Sequence, residues 1–297
     1  MVMYNIRIIF ILLLVATSCS IDKDVLLSNQ GFEEIANKGS GIDFSNDIAI
    51  SDTLNYNTFP YIYMGAGVAL GDINNDGLTD VFLTGNMTSN KLYLNQDNMQ
   101  FKDITDAAFI AGDSRWYTGV TMVDINADGW LDIYVSVSGV GENTQNQLFL
   151  NNGDLTFSEM AADFGIDDSG NSIQSVFFDY DNDDDLDLYV GNYPIIPLTM
   201  PNDYYYDKMQ RRNPSESGHL FRNDGSGKFE DVTEETGLLN FGLSLGVVVS
   251  DFNNDGWKDL YVSNDFNVPD YFYINNGNGT FVEKVKETTR QTSMFAM

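Results

Sequence analysis

Four nine-residue segments concentrate the side chains that could do chemistry: DINNDGLTD (72–80), DINADGWLD (124–132), DYDNDDDLD (179–187) and DFNNDGWKD (251–259). In the first, Asp72, Asn74, Asp76 and Asp80 hold positions 1, 3, 5 and 9, and Gly77 holds position 6. Alternate positions of a tight loop can point at one centre, and glycine allows the left-handed backbone that turns the chain back. The carbonyl of position 7, Leu78, can then join a ring of oxygens. The other loops offer Asp124, Asn126, Asp128, Trp130 and Asp132; Asp179, Asp181, Asp183, Asp185 and Asp187; and Asp251, Asn253, Asp255, Trp257 and Asp259. Hard oxygen ligands without sulfur or imidazole suit Ca2+, which takes roughly 6–8 oxygens, whereas Mg2+ demands a stricter octahedron and ranks second. Up to four calcium ions are expected. An EF-hand would need a glutamate at position 12 and flanking helices; position 12 here is Leu83, Val135, Val190 or Val262. The third loop departs most, with Asp184 in place of glycine and six aspartates whose repulsion should hold it open without a cation.

The elements around these loops read as strands. Short apolar runs precede them (GVALG, GVTMV, QSVFF, GVVVS) and follow them (VFLTG, IYVSV, LYVGN, LYVSN). Their length and β-branched and aromatic content disfavour helix, and apolar residues on consecutive positions imply burial on both faces. A third run comes next (KLYLN, QLFLN, HLFRN, YFYIN), then a turn, explicit in NNGDLTF, NDGSGKF and NNGNGTF, and a fourth strand beginning with phenylalanine. The loops start 52, 55 and 72 residues apart by subtraction of 72, 124, 179 and 251, a supersecondary period. Four antiparallel strands per unit, stacked on their neighbours, make an all-β, β-propeller fold of four-stranded blades. Gly67, Gly119 and Gly246 recur where innermost strands crowd the axis, and Gln174 breaks that pattern.

Composition bounds the function. The 297 residues carry a formal charge of −29, and the four loops hold 15 of the 44 acidic side chains. Such a surface repels nucleic acid and anionic lipid and attracts cations. One cysteine excludes an internal disulfide, and one histidine leaves thiolate or multi-histidine zinc sites unbuildable. His219 has no partner in sequence to recommend it as a catalytic base.

The N-terminus reads as an address. Arg7, an apolar run from Ile8 to Ala16 and small residues before Cys19 have the layout of a secretory signal over 1–18, too short to cross a bilayer. ATSC resembles a bacterial lipobox, so Cys19 is expected to be lipidated, with 19–31 as a linker on the outer membrane. The acidic SIDKD after it resembles a surface-export tag, which places the protein at the cell surface.

The repeated unit GDINNDGLTDVFLTGN…NKLYLN…FKDIT resembles FG-GAP/VCBS repeats of integrin-α-like propellers, and more narrowly the bacterial ASPIC/UnbV-type relatives of cartilage acidic protein. The resemblance covers about residues 30–297. It implies calcium ligation in the four loops, a seven-bladed ring, and no catalytic residue. Within it, 32–66 reads as a closing outer strand and lead-in, since FEEIANKGSGI matches a fourth strand and exit. Residues 67–297 read as four blades and, in SMFAM, the start of a fifth, so that further C-terminal blades are expected to close the ring.

A partner would meet the end opposite the metal loops. The longest insertion there, 192–218, carries Tyr193, Tyr204, Tyr205, Tyr206, Arg211 and Arg212, residue types favoured in binding hot spots. The alternative is that the insertion packs its own tyrosines over the neighbouring blade. The functional expectation is a calcium-braced, surface-anchored, non-enzymatic binding or adhesion module for protein or glycan. The rival is a lyase-like polysaccharide-active enzyme on the same scaffold, which would need a base and cationic groups that only Arg211, Arg212 and nearby tyrosines offer.

Overall fold

A computed structural model describes residues 34–288 except 114, 140–142, 198–199 and 266. It contains four four-stranded antiparallel sheets, each in sequential order. Blade one is β1 (Val68–Gly71), β2 (Asp80–Leu83), β3 (Lys91–Asn95) and β4 (Phe101–Asp103). Blade two is β5 (Trp116–Val123), β6 (Asp132–Ser138), β7 (Gln147–Asn151) and β8 (Phe157–Glu159). Blade three is β9 (Ser172–Phe178), β10 (Asp187–Asn192), β11 (His219–Asn223) and β12 (Phe229–Asp231). Blade four is β13 (Ser244–Ser250), β14 (Asp259–Asn264), β15 (Tyr271–Asn275) and β16 (Phe281–Glu283). The first strands β1, β5, β9 and β13 adjoin in that order, which is the arrangement of propeller blades around an axis.

Burial follows position in the row of blades. Every residue of β6 and β10 is buried, as two-sided packing requires. Blades one and four each lack one neighbouring sheet among the described residues, and there the expectation fails: Val68 and Leu70 of β1 and Val248 of β13 are exposed. The glycines near the axis have a steric cause. A Cβ on Gly67 would stand 2.5 Å from the Thr118 carbonyl oxygen, and one on Gly119 would stand 2.4 Å from that of Ile173. Gln174, the exception, uses its side chain to reach the next blade, where Val247 N–H donates to its Oε1 at 3.0 Å.

Blades two and three leave their fourth strands through tight turns seated on the following blade. Gly165 and Gly237, both at positive φ, face the carbonyls of Phe229 and Phe281. The N-terminal segment is seated the same way: after a single helical turn, Asn37–Ser40, Gly41 (φ 81°) faces the carbonyl of Phe101. Among the described residues no strand precedes β1. The expected strand beginning at Phe32, the signal and lipidation segments, and SMFAM lie outside the described residues. No described helix is long and apolar enough to cross a membrane.

The β10–β11 insertion contains α1 (Asn202–Arg211), which the repeat pattern did not foretell. Its signals were local: Pro201 before it, Asp203 in the first turn, and Lys208 and Arg211 in the last.

Candidate metal loops and the opposite end

All four acidic loops join the first and second strands of a blade, so they share one end of the propeller. They share one internal geometry as well. The position 1 aspartate accepts the N–H groups of positions 5 and 6 at 2.7–3.2 Å. The position 5 aspartate accepts the N–H of position 7 at 2.8–3.0 Å. Position 6 is left-handed in every loop (Gly77 φ 85°, Gly129 φ 90°, Asp184 φ 73°, Gly256 φ 91°). The third loop closes with the same geometry as the others. Aspartate tolerates this backbone better than most residues, and Asp179 collects the same two N–H groups as its counterparts.

Position 9 has a second duty. Asp80, Asp132, Asp187 and Asp259 have no exposed surface. In each, one oxygen accepts the N–H of position 2 at 2.9–3.1 Å. The other accepts the N–H of the asparagine that ends the third strand, at 2.7–2.9 Å. These asparagines, Asn95, Asn151, Asn223 and Asn275, donate back to the position 8 carbonyl of the same loop. Asn151 and Asn275 also donate to the position 2 carbonyls of the preceding blades, Ile73 and Tyr180. Sequence reasoning missed this clip, although the final asparagine of each third run was its visible trace. Burial raises all four carboxyls, Asp132 to about 6 and Asp187 to about 7, while the backbone donors pull the other way.

Position 3 separates the loops. Asn74, Asn126 and Asn253 each donate to the position 5 aspartate at 2.8–2.9 Å. Asp181 has no such hydrogen, and its Oδ1 is buried without a partner. Carboxylate oxygens of Asp179, Asp181 and Asp187 lie within 4.8 Å of one another, and burial together with the charges of Asp183 and Asp179 raises Asp181. An all-oxygen set with an orphaned oxygen fits a hard divalent cation. At position 7, the half-buried Trp130 and Trp257 rest on the hairpin glycines Gly153 and Gly277 of their own blades. The backbone N–H of every position 7 residue points at the position 5 carboxylate, as given above.

At the opposite end the expected partner-binding residues divide. Tyr193 is buried, 4.1 Å from the Tyr61 ring, and its hydroxyl donates to Asp265 at 3.1 Å. Tyr205 is buried too. Both belong to a core that includes the lead-in residues Phe59, Tyr61 and Ile62, so for these two the self-packing alternative describes the molecule. Tyr204 stands edge-on to Tyr205, with Lys208 5.5 Å above its ring. Tyr206 is exposed, Arg211 pairs with Asp207 at 2.8 Å, and Arg212 ends α1 with φ 46°. His219 is held by Asp168 at Nδ1 and by the Pro214 carbonyl at Nε2. Both partners accept, so the ring carries two protons. Burial opposes that charge, but Asp168 outweighs it and the His219 pKa rises to about 9.

Comparison with known proteins agrees with this architecture. A family model described as an FG-GAP-like repeat matches residues 72–135 and 211–262. Cartilage acidic protein 1 of Mus musculus is 25% identical over 225 residues, 73% of this chain and 31% of that protein. The Xenopus tropicalis protein of the same name is 26% identical over 235 residues, 78% of this chain and 33% of that one. The chain thus spans about a third of the length of the curated relatives it matches. A solved structure described as an Agrocybe aegerita lectin recognising non-reducing terminal N-acetylglucosamine aligns with TM-score 0.42 and 17% identity, over 76% of this chain and 52% of that one. The chain carries FG-GAP-like repeats folded as β-propeller blades, and over most of its length it is similar to cartilage acidic protein 1.

Proposed function

We propose that the chain is a calcium-braced binding module, displayed at a bacterial cell surface by a lipid on Cys19. It would present the end opposite the metal loops to a protein or glycan partner. The observation that carries the metal reading is the third loop, where three carboxylates converge and one buried oxygen has no partner. Asp179, Asp181, Asp183 and Asp187 would hold the ion there, and the corresponding residues would hold it in the other three loops. A bound cation supplies the positive charge that these carboxylates lack. The chain's own contribution is the backbone clip at position 9, which ties each loop to its blade's third strand. The presented end is supported by the exposed Tyr206, Arg211 and Arg212 and by a rigid aromatic layer beneath α1.

Calcium titration of the mature chain by calorimetry, paired with thermal unfolding in calcium and in EDTA, tests the reading. Up to four ions should bind. At a hundredfold excess over Kd, one ion adds about 2.7 kcal/mol of stability. No heat of binding at millimolar calcium would overturn the metal assignment.

A further inference from the structure

A cleft of about 660 Å³ opens at the end opposite the metal loops, where the β2–β3 loop of blade one meets the connection from β4 to β5. Its volume falls in the range of small-molecule sites, roughly 300–1,000 Å³. We propose that this cleft binds a neutral sugar residue, a reading that rests on the binding-module function above and names its ligand class.

The wall chemistry selects the class. Arg115 donates from Nε to Asp113 at 3.0 Å and from Nη1 to the Gln145 carbonyl at 2.6 Å. Its charge is therefore already balanced within the cleft, while Nη2 has no partner among the described residues. An anionic ligand would find no net positive charge here and would approach a chain of charge −29. A cationic ligand would meet the guanidinium. Hydroxyl groups, which both donate and accept, suit this mixture, to which Thr88 and Ser89 of the lining add their own hydroxyls. The largely buried Trp116 and the exposed Met87 give the lining its apolar part, toward a sugar ring face.

The cleft is also built rather than incidental. Asn86 exchanges two hydrogen bonds with Asn46 and donates to the Tyr117 carbonyl at 2.7 Å, so that wall is fixed. Behind Gly112, a lining residue, stands the Asn90 amide. It has no exposed surface, its Oδ1 accepts from Gly85, and its Nδ2 has no acceptor. An added Cβ at Gly112 would lie 2.3 Å from the Tyr117 hydroxyl and 2.9 Å from that nitrogen, so both polar groups crowd the inner side of this cleft-lining backbone. In blade two the same position, Asn146, donates to the Tyr134 hydroxyl and to Ser172. Blade one has Phe82 where blade two has Tyr134, so the Asn90 donor lacks the hydroxyl that Asn146 uses.

The test is retention of the mature chain, in calcium, on immobilised neutral hexose- and N-acetylhexosamine-terminated oligosaccharides and, separately, on uronic acid polymers. Three variants accompany it: Ser89→Trp, which fills the cleft from an exposed position, Arg115→Gln, and Tyr206→Ala on α1. The expected result is retention on a neutral glycan, weakened about tenfold or more by Ser89→Trp and Arg115→Gln and weakened less by Tyr206→Ala. Equal unfolding temperatures for wild type and Ser89→Trp show that the loss is local. Retention only on uronic acid polymers, or on no neutral glycan, overturns the proposal. Retention abolished by Tyr206→Ala and untouched by Ser89→Trp overturns it while leaving the binding-module reading in place.

Discussion

The two ends of the propeller treat charge in opposite ways. At the loop end, 15 aspartates crowd into four turns whose one cationic residue is Lys258. The aspartates at positions 1, 5 and 9 accept backbone N–H groups and, in three loops, position 5 also accepts an asparagine amide. At the other end the cationic side chains are paired: Arg115 with Asp113, Lys208 with Glu216, Arg211 with Asp207, and His219 with Asp168. One end concentrates negative charge without cationic partners, while at the other these four cations each meet an acidic side chain. Within the loop end, the third loop is the extreme case, because Asp181 replaces the amide that quiets the other three.

The largest expected effect tests whether the loop end is held by its backbone clip as well as by any ion. Asp132→Ala should cost roughly 3–5 kcal/mol, because it leaves two buried N–H groups without acceptors and removes a charge-assisted hydrogen bond to each. Denaturant unfolding in EDTA should show most of that loss. A loss seen only in calcium would mean that position 9 acts solely as an ion ligand.

The balanced end answers to pH instead. His219→Gln should cost about 2–3 kcal/mol near neutral pH, since a buried carboxylate loses its charged partner. His219 is raised from 6.5, so its contribution is complete below that value and fades as pH climbs through about 9. Asp168 is lowered from 3.8, with burial opposing and His219 prevailing, so its share is complete above 3.8 and fades on acidification below it. The gap between wild type and variant should therefore be widest from about pH 4 to 6.5 and close above 9. A gap independent of pH would show that the pair is uncharged.

Asp181→Asn sharpens the contrast among the loops, because its effect should change sign. In EDTA the variant gains about 1 kcal/mol, as the new amide can donate to Asp183 the way Asn74 donates to Asp76. In calcium the same change removes a charged ligand and should weaken binding at that loop. Parallel melts and titrations read both, and equal stabilisation in the two conditions would separate the third loop from metal binding.

How much of this was legible depended on whether a feature repeats. The blades were readable because the loop spacing, the apolar runs and the phenylalanine that opens each fourth strand recur, and each copy tests the others. The position 9 aspartates were assigned to metal alone, since their bonds to Asn95, Asn151, Asn223 and Asn275 cross 15–36 residues and leave no local pattern. The insertion was hardest. It occurs once, and tyrosine suits a core and a binding surface equally, so only tertiary packing could place Tyr193 and Tyr205 inside and Tyr206 outside.

The smallest expected effect lies at position 4, where the loops touch across blades. Asn75 donates to the Gly129 carbonyl of the next loop at 3.0 Å, and Asn182 to that of Gly256 at 3.5 Å. Blade two has Ala127 there, in the left-handed region at φ 54° with no side chain to bridge. A cleft of about 500 Å³ opens at this junction, lined by Asp124, Ala127, Phe164 and Asp184. Ala127→Asn should place a residue that tolerates left-handed backbone and supply the missing link to the Asp184 carbonyl. Together these are worth about 0.5–1 kcal/mol. The gain should persist in EDTA, because neither part of it involves an ion. If it appears only in calcium, the loop conformation itself is set by the metal, and the closed geometry of all four turns must be credited to bound ions rather than to their backbone hydrogen bonds.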